Sequence, residues 1–100
     1  MNPFKLTNKA KNDLKNIAKY TETRWGKMQR NLYVKQFDDA FHLLADTPKV
    51  GKECDFVKVG YRKFPQGSHL ILYKDGNDGK IEIVRILHKT MDILSTFDKP

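Results

Sequence analysis

The apolar residues of this chain change their period midway, and that change constrains the fold more than any other feature. From residue 8 to about 25, Ala10, Leu14, Ile17, Ala18, Thr21 and Trp25 recur at helical spacing and place one apolar stripe on one helix. A second helix is predicted after Gly26. Tyr33, Phe37, Ala40, Phe41 and Leu44 share its face, Met28, Leu32 and Leu43 broaden it, and Thr47-Pro48 stops it. Gly26 has no side chain to oppose a left-handed turn, so it suits the joint of an antiparallel helix pair. Beyond Asp55 the period falls to about 2, the repeat of a pleated strand. Three short strands are predicted there: Val57 to Phe64, His69 to Lys74 and Lys80 to His88. Pro65-Gln66-Gly67-Ser68 and Asp75-Gly76-Asn77-Asp78-Gly79 are the turns between them, and consecutive strands on short turns pair antiparallel. Pro3 to Thr7 reads as a strand before the first helix, with Thr7 or Asn8 as its cap. Pro48 to Asp55 reads as irregular.

These elements define an α+β chain, an N-terminal strand followed by an antiparallel helical hairpin packed on an antiparallel β-meander. At 100 residues, 1–100 form a single domain, and large multidomain enzymes are excluded. On the last strand, alternation sets Ile81, Ile83, Arg85 and Leu87 on one side and Glu82, Val84, Ile86 and His88 on the other. Each side mixes polar with apolar residues. The sheet face away from the helices is therefore expected to be partly covered, by the C-terminal tail or by another chain.

The longest unbroken apolar run, Leu70-Ile71-Leu72-Tyr73, falls far short of the roughly 18 to 20 residues that span a bilayer. Met1-Asn2-Pro3-Phe4-Lys5 lacks the apolar core of a secretory signal, which predicts a cytoplasmic protein. Cys54 has no second cysteine to pair with, and its neighbours Glu53 and Asp55 favour the protonated, inert thiol. There is no Cys pair, H-E-x-x-H, Walker A loop or G-x-G-x-x-G, so no metal and no cofactor are expected. Asp75 to Gly79 lacks the donors of a calcium loop and reads as a turn. His42 reads as structural or surface.

Charge is unevenly distributed. Residues 1 to 35 hold nine basic and two acidic residues, whereas residues 36 to 100 hold ten of each, so the net charge of +7 lies wholly in the first third. Lys11, Lys15 and Lys19 stand at i, i+4 and i+8 with almost no acid between them. An acidic partner is the natural inference, either nucleic acid or an acidic protein segment. Trp25 at the bend reads either as a core anchor or as an exposed binding residue. Arg62, Lys63, His69, Arg85, His88 and Lys89 all fall in strands or at strand ends, and several can converge on one sheet face. Such a set suits acid–base chemistry on RNA, with Tyr61 or Tyr73 as partner, and equally suits docking an acidic peptide.

Three spaced segments carry a resemblance: Thr21 to Gly26 (TETRWG), Arg62 to His69 (RKFPQGSH) with the strand Leu70 to Tyr73, and Ile83 to Asp92 (IVRILHKTMD). Together they resemble the RelE/ParE superfamily of toxins from bacterial toxin–antitoxin pairs, and its ParE branch more closely. The resemblance spans essentially the whole chain and implies the strand, helical hairpin and antiparallel sheet derived above. It also separates two mechanisms. RNA-cleaving relatives place an arginine where this chain has Leu70, and a tyrosine near the C-terminus, whereas no Tyr follows position 73 here. An aliphatic Leu70 cannot stabilise a phosphorane.

ParE-type relatives are described as poisoning DNA gyrase by trapping a cleaved DNA complex. The resemblance thus implies a non-enzymatic gyrase inhibitor without sequence-specific nucleic-acid binding or membrane attachment, neutralised by a ParD-like antitoxin. A ribosome-dependent mRNA endonuclease using Arg62, Arg85, His88 and Lys89 is the alternative. For the gyrase inhibitor, the resemblance implies target contacts at Arg62, Lys63, Phe64, Pro65, Gln66, Gly67, Arg85, His88, Lys89, Met91 and Asp92. Antitoxin contacts are expected at Lys11, Lys15, Lys19 and Trp25, the basic stripe receiving an acidic segment in a salt-sensitive complex.

Overall fold

The computed structural model describes residues 3–90, so Met91 and Asp92 lie outside the described residues. β1 (Phe4–Leu6) leads into α1 (Asn8–Trp25) and α2 (Lys27–Asp46). A 3-10 turn (Pro48–Val50) then leads to β2 (Lys52–Glu53), β3 (Arg62–Gln66), β4 (His69–Asp75) and β5 (Ile81–His88). The five strands lie in the order β1-β5-β4-β3-β2. β1 pairs parallel with β5 and every other neighbour is antiparallel, so the meander becomes a mixed sheet.

Local chemistry places each helix end. The Thr7 hydroxyl accepts the Ala10 N–H at 3.0 Å and caps α1. Gly26 joins the helices as a single residue at φ +92°, a backbone that only glycine adopts without strain. Its N–H closes α1 on the Glu22 carbonyl, and its carbonyl opens α2 by accepting from Arg30 N–H. Arg30 also pairs with Glu22 across the bend. Phe37, Ala40, Phe41 and Leu44 of α2 are buried with Ala10 and Ile17 of α1 against Ile71, Tyr73, Ile81, Ile83 and Ile86 of the sheet. Met28, Leu32 and Leu43 do not join this core. They are exposed, because no described element packs over that flank of α2.

β5 departs from strict alternation. Leu72 pairs with Arg85 but Tyr73 pairs with Ile83, which leaves Val84 as the extra residue of a β-bulge. The bulge rephases the strand, so Ile81, Ile83 and Ile86 all enter the helix-side core while Val84 and Leu87 face the other way. The expected grouping of Ile83 with Leu87 is thereby corrected. The Val84 carbonyl at the bulge and the Ile86 N–H beyond it find side-chain partners at the α1 cap and in α1. The Thr7 hydroxyl donates to the Val84 carbonyl at 2.7 Å, and Asp13 accepts the Ile86 N–H at 3.0 Å. Asp13 also holds Arg85 in a two-pronged pair at 2.8 and 3.1 Å.

The outer sheet face is covered from within the described chain. The loop between β2 and β3 folds on itself, Cys54 and Tyr61 exchanging a backbone hydrogen bond of 2.9 Å, and buries Cys54 and Tyr61 with Leu72 and Leu87. Val57 therefore plugs a loop where a strand was expected, and β3 begins at Arg62. It runs on through Pro65, which is tolerated because β2 pairs only Arg62 and Lys63, leaving the outer side of Pro65 without a ladder partner. Burial pushes the Cys54 thiol pKa up, in keeping with an inert thiol.

Tyr73, almost fully buried, ties down the irregular segment after α2. Its hydroxyl donates to the Pro48 carbonyl at 2.7 Å and accepts the Gly51 N–H at 2.9 Å. A Cβ on Gly51 would overlap that hydroxyl and lie 2.8 Å from the Lys63 carbonyl oxygen. Gly51→Ala is expected to cost about 1–3 kcal/mol by overpacking, seen as a lower urea midpoint with an unchanged m-value.

A basic-rimmed groove at the bend of the helical hairpin

The two-residue turn Gly67-Ser68, the last residue of β5 and the bend of the helical hairpin enclose a groove of about 840 Å³. Asn16, Ile17, Tyr20, Thr21, Arg24 and Trp25 line it from α1, Gln29 and Tyr33 from α2, Gly67, Ser68 and His69 from the β3–β4 hairpin, and His88 from β5. None of these is acidic. Tyr20 is 62% and Trp25 68% exposed, so the apolar wall is open to a partner. Trp25 is thus an exposed residue and not a core anchor. Arg24 lies 5.8 Å from the Tyr20 ring centroid and adds a cation at the rim.

Tyr33 organises the floor. Its hydroxyl meets His69 Nδ1 at 2.8 Å and accepts the Ser68 N–H at 3.2 Å. Gly67 makes that approach possible. Its φ is +57°, and a Cβ there would lie 2.5 Å from the Tyr33 hydroxyl. Burial raises the Tyr33 pKa. His69 pairs with His88 across the β4–β5 ladder, their rings edge to face at 5.3 Å. Burial lowers the His69 pKa, and neighbouring His88 lowers it further against a weak opposing pull from Asp13. Both effects favour the neutral imidazole at His69.

The basic residues expected to converge do so only in part. Arg62 lies at the opposite end of the β3–β4 ladder from His69, donating to the Gly51 carbonyl at 2.8 Å and pairing with Glu53 at 3.2 Å. Arg85 is committed to Asp13. Lys63 lies 5.8 Å from the Phe56 ring centroid, on the flank of β3. Phe64 packs against the main core, Pro65 is exposed, and Gln66 presents its carbonyl 3.3 Å from the Tyr33 hydroxyl. Lys89 joins the site through the backbone, donating to the Ser68 carbonyl at 2.9 Å. Only His69, His88 and Lys89 of the six come together. Lys11, Lys15 and Lys19 are exposed, form no ion pair among the described residues, and follow the α1 face directed away from the buried Ala10, Ile17 and Thr21.

Sequence reading missed Tyr20 and the polar role of Tyr33. Tyr33 falls on the apolar face of α2, and its one signal was the phenol itself, which needs a hydrogen-bond partner when partly buried.

A helical hairpin laid on a mixed sheet, with an open groove at its bend, defines a domain of the RelE/ParE toxin class. The family described as "ParE toxin of type II toxin-antitoxin system, parDE" matches residues 4–93. Toxin ParE1 of Caulobacter vibrioides is 35% identical over 92 residues, covering 92% of this chain and 94% of the relative. Toxin ParE1 of Mycobacterium tuberculosis is 36% identical over 90 residues, covering 90% and 92%. A chain of the solved structure "Chromosomal ParDE TA system from P. aeruginosa" shares the fold at a TM-score of 0.72 and 20% identity, over 85% of this chain and 92% of that one. This chain belongs to the ParE toxin family of type II toxin–antitoxin systems.

Proposed function

We propose that this toxin acts in the cytoplasm as a non-enzymatic inhibitor of DNA gyrase, trapping the cleaved DNA complex, and that a ParD-like antitoxin silences it. The observation that carries a binding role over catalysis is the dispersal of the cationic groups. Arg62 and Arg85 are each held by a carboxylate, at separate places on the sheet, and Leu70 is aliphatic where RNA-cleaving relatives carry an arginine. With purified gyrase, the toxin is expected to block supercoiling and accumulate cleaved DNA. A toxin that leaves supercoiling intact and produces no breaks sinks this reading. The contact between His69, His88 and Tyr33 favours the alternative, ribosome-dependent mRNA cleavage. New 5′ ends on ribosome-bound message, lost on His88→Ala, would be its signature.

The target contacts proposed are Lys63 to Gly67 and His88 to Asp92, with Arg62 and Arg85 shaping that surface through their ion pairs. The antitoxin is proposed to seat apolar side chains in the groove beside Trp25, while Lys11, Lys15 and Lys19 receive its acidic residues. Among the described residues the groove lining holds no acid and the three lysines form no ion pair, which supports an acidic, amphipathic partner segment. Reversing the three lysines to glutamate is expected to weaken antitoxin binding at least tenfold in low salt and much less in 0.5 M salt, as read by calorimetry. Equal affinity in low salt returns the stripe to a solvated face.

A further inference from the structure

The floor of the groove ends in two imidazoles whose arrangement is not explained by packing. His69 Nδ1 is taken by the Tyr33 hydroxyl at 2.8 Å. That hydroxyl has one proton, already receives the Ser68 N–H, and meets His69 at a shorter distance than the Gln66 carbonyl at 3.3 Å, so it donates to His69. His88 Nδ1 accepts the Thr90 N–H at 3.2 Å. With both Nδ1 atoms acting as acceptors, the neutral rings carry their protons on Nε2. Neither Nε2 has a partner among the described residues. Two N–H donors on rings 5.3 Å apart therefore stand in a groove lined by no acid among the described residues.

We propose that His69 and His88 form a carboxylate-binding subsite, filled by an aspartate or glutamate side chain of the antitoxin segment whose apolar residues occupy the rest of the groove. The inference rests on the groove being the antitoxin site. Each imidazole donates from Nε2 to one carboxylate oxygen, and Tyr33 and Thr90 fix the ring orientations from behind. Among the described residues the surrounding charged and titratable groups are Asp13, Tyr20 and Arg24 from α1, Tyr33 from α2, Arg85 of β5 and Lys89 just after it; the β3–β4 turn contributes none. The acid among them, Asp13, is already bound to Arg85 and the Ile86 N–H, so the incoming carboxylate has no competitor within this set.

A carboxylate beside a neutral imidazole stabilises its protonated form, so binding takes up protons and the complex tightens as pH falls. This differs from the lysine stripe. Lysines remain charged throughout the neutral range and impart salt dependence without pH dependence.

Two measurements test the subsite. In the first, the imidazole nitrogens of the 15N-labelled full chain are followed by NMR during titration with sodium acetate, with sodium chloride at matched ionic strength and sodium phosphate as separate arms. Acetate is expected to shift both Nε2 resonances and raise the pKa of both histidines, and His69→Gln is expected to weaken the response at His88. A response no larger than that to chloride overturns the proposal, and a stronger response to phosphate reassigns the site to phosphoryl groups. In the second, affinity for a ParD-type antitoxin that restores growth is measured at pH 8 and pH 6. Roughly tenfold tighter binding is expected at pH 6, with His69→Gln/His88→Gln flattening the difference to about twofold. If the double variant keeps the full pH dependence while Trp25→Ala still weakens binding, the subsite fails and the groove reading stands. If Trp25→Ala has no effect, the groove reading fails, and the acetate titration still decides whether the pair binds carboxylate.

Discussion

Asp13→Ala is expected to lower the unfolding free energy by about 2–4 kcal/mol, a shift in Tm of roughly 10–20 °C for a domain of this size. The size of the effect follows from what Asp13 holds. Its side chain is 14% exposed and that of Arg85 21%, so removing the carboxylate strands a largely desolvated guanidinium. It also leaves the Ile86 N–H, which lies beyond the last residue pair of β1 with β5, without its acceptor. Asp13→Asn keeps one oxygen for that N–H and should lose about half as much. Replacing both partners, Asp13→Leu with Arg85→Met, is expected to recover the part of the loss due to the stranded guanidinium and not the part due to the Ile86 N–H, because the apolar side chains carry no stranded charge but offer no acceptor. Thermal unfolding of the wild type, Asp13→Leu, Arg85→Met and the double variant forms the cycle. Equal losses in the single and double variants would show that the pair is not the source of the effect.

Trp25→Ala carries the other large effect, and it falls on binding. Roughly a hundredfold loss of antitoxin affinity is expected, about 2–4 kcal/mol, as for a tryptophan at the centre of an interface. Stability should change by less than about 0.5 kcal/mol, since the side chain is 68% exposed in the free protein. Tyr20→Ala should weaken binding in the same direction and less strongly, since Tyr20 buries a smaller surface in the same wall. Calorimetry of each variant beside its melting curve separates the two quantities. Wild-type affinity in Trp25→Ala would remove the groove from the antitoxin interface.

Asp13 and Trp25 are roles that periodicity handles poorly. Asp13 is a polar residue on α1 whose partners lie 72 and 73 positions away, so no local pattern marks it. Trp25 fits the apolar stripe of α1 as well as any core residue does. It is exposed because α1 ends at Gly26, where the sheet no longer covers the helix. The His69–His88 contact is partly legible, since both fall at strand ends, but their direct opposition depends on the β4–β5 register.

The sequence by itself determined the helices and their joint, and two of the three meander strands nearly to the residue. Those features follow from local periodicity and from glycine and proline chemistry. The tertiary structure alone decided the parallel docking of β1, the bulge at Val84, the loop that seals the outer face through Cys54 and Tyr61, and the separation of Arg62 and Arg85 from the histidine pair. Each depends on register or on contacts between distant residues. In a strand of period 2, one inserted residue exchanges the two faces, and a reading that assumes perfect alternation cannot locate where that happens.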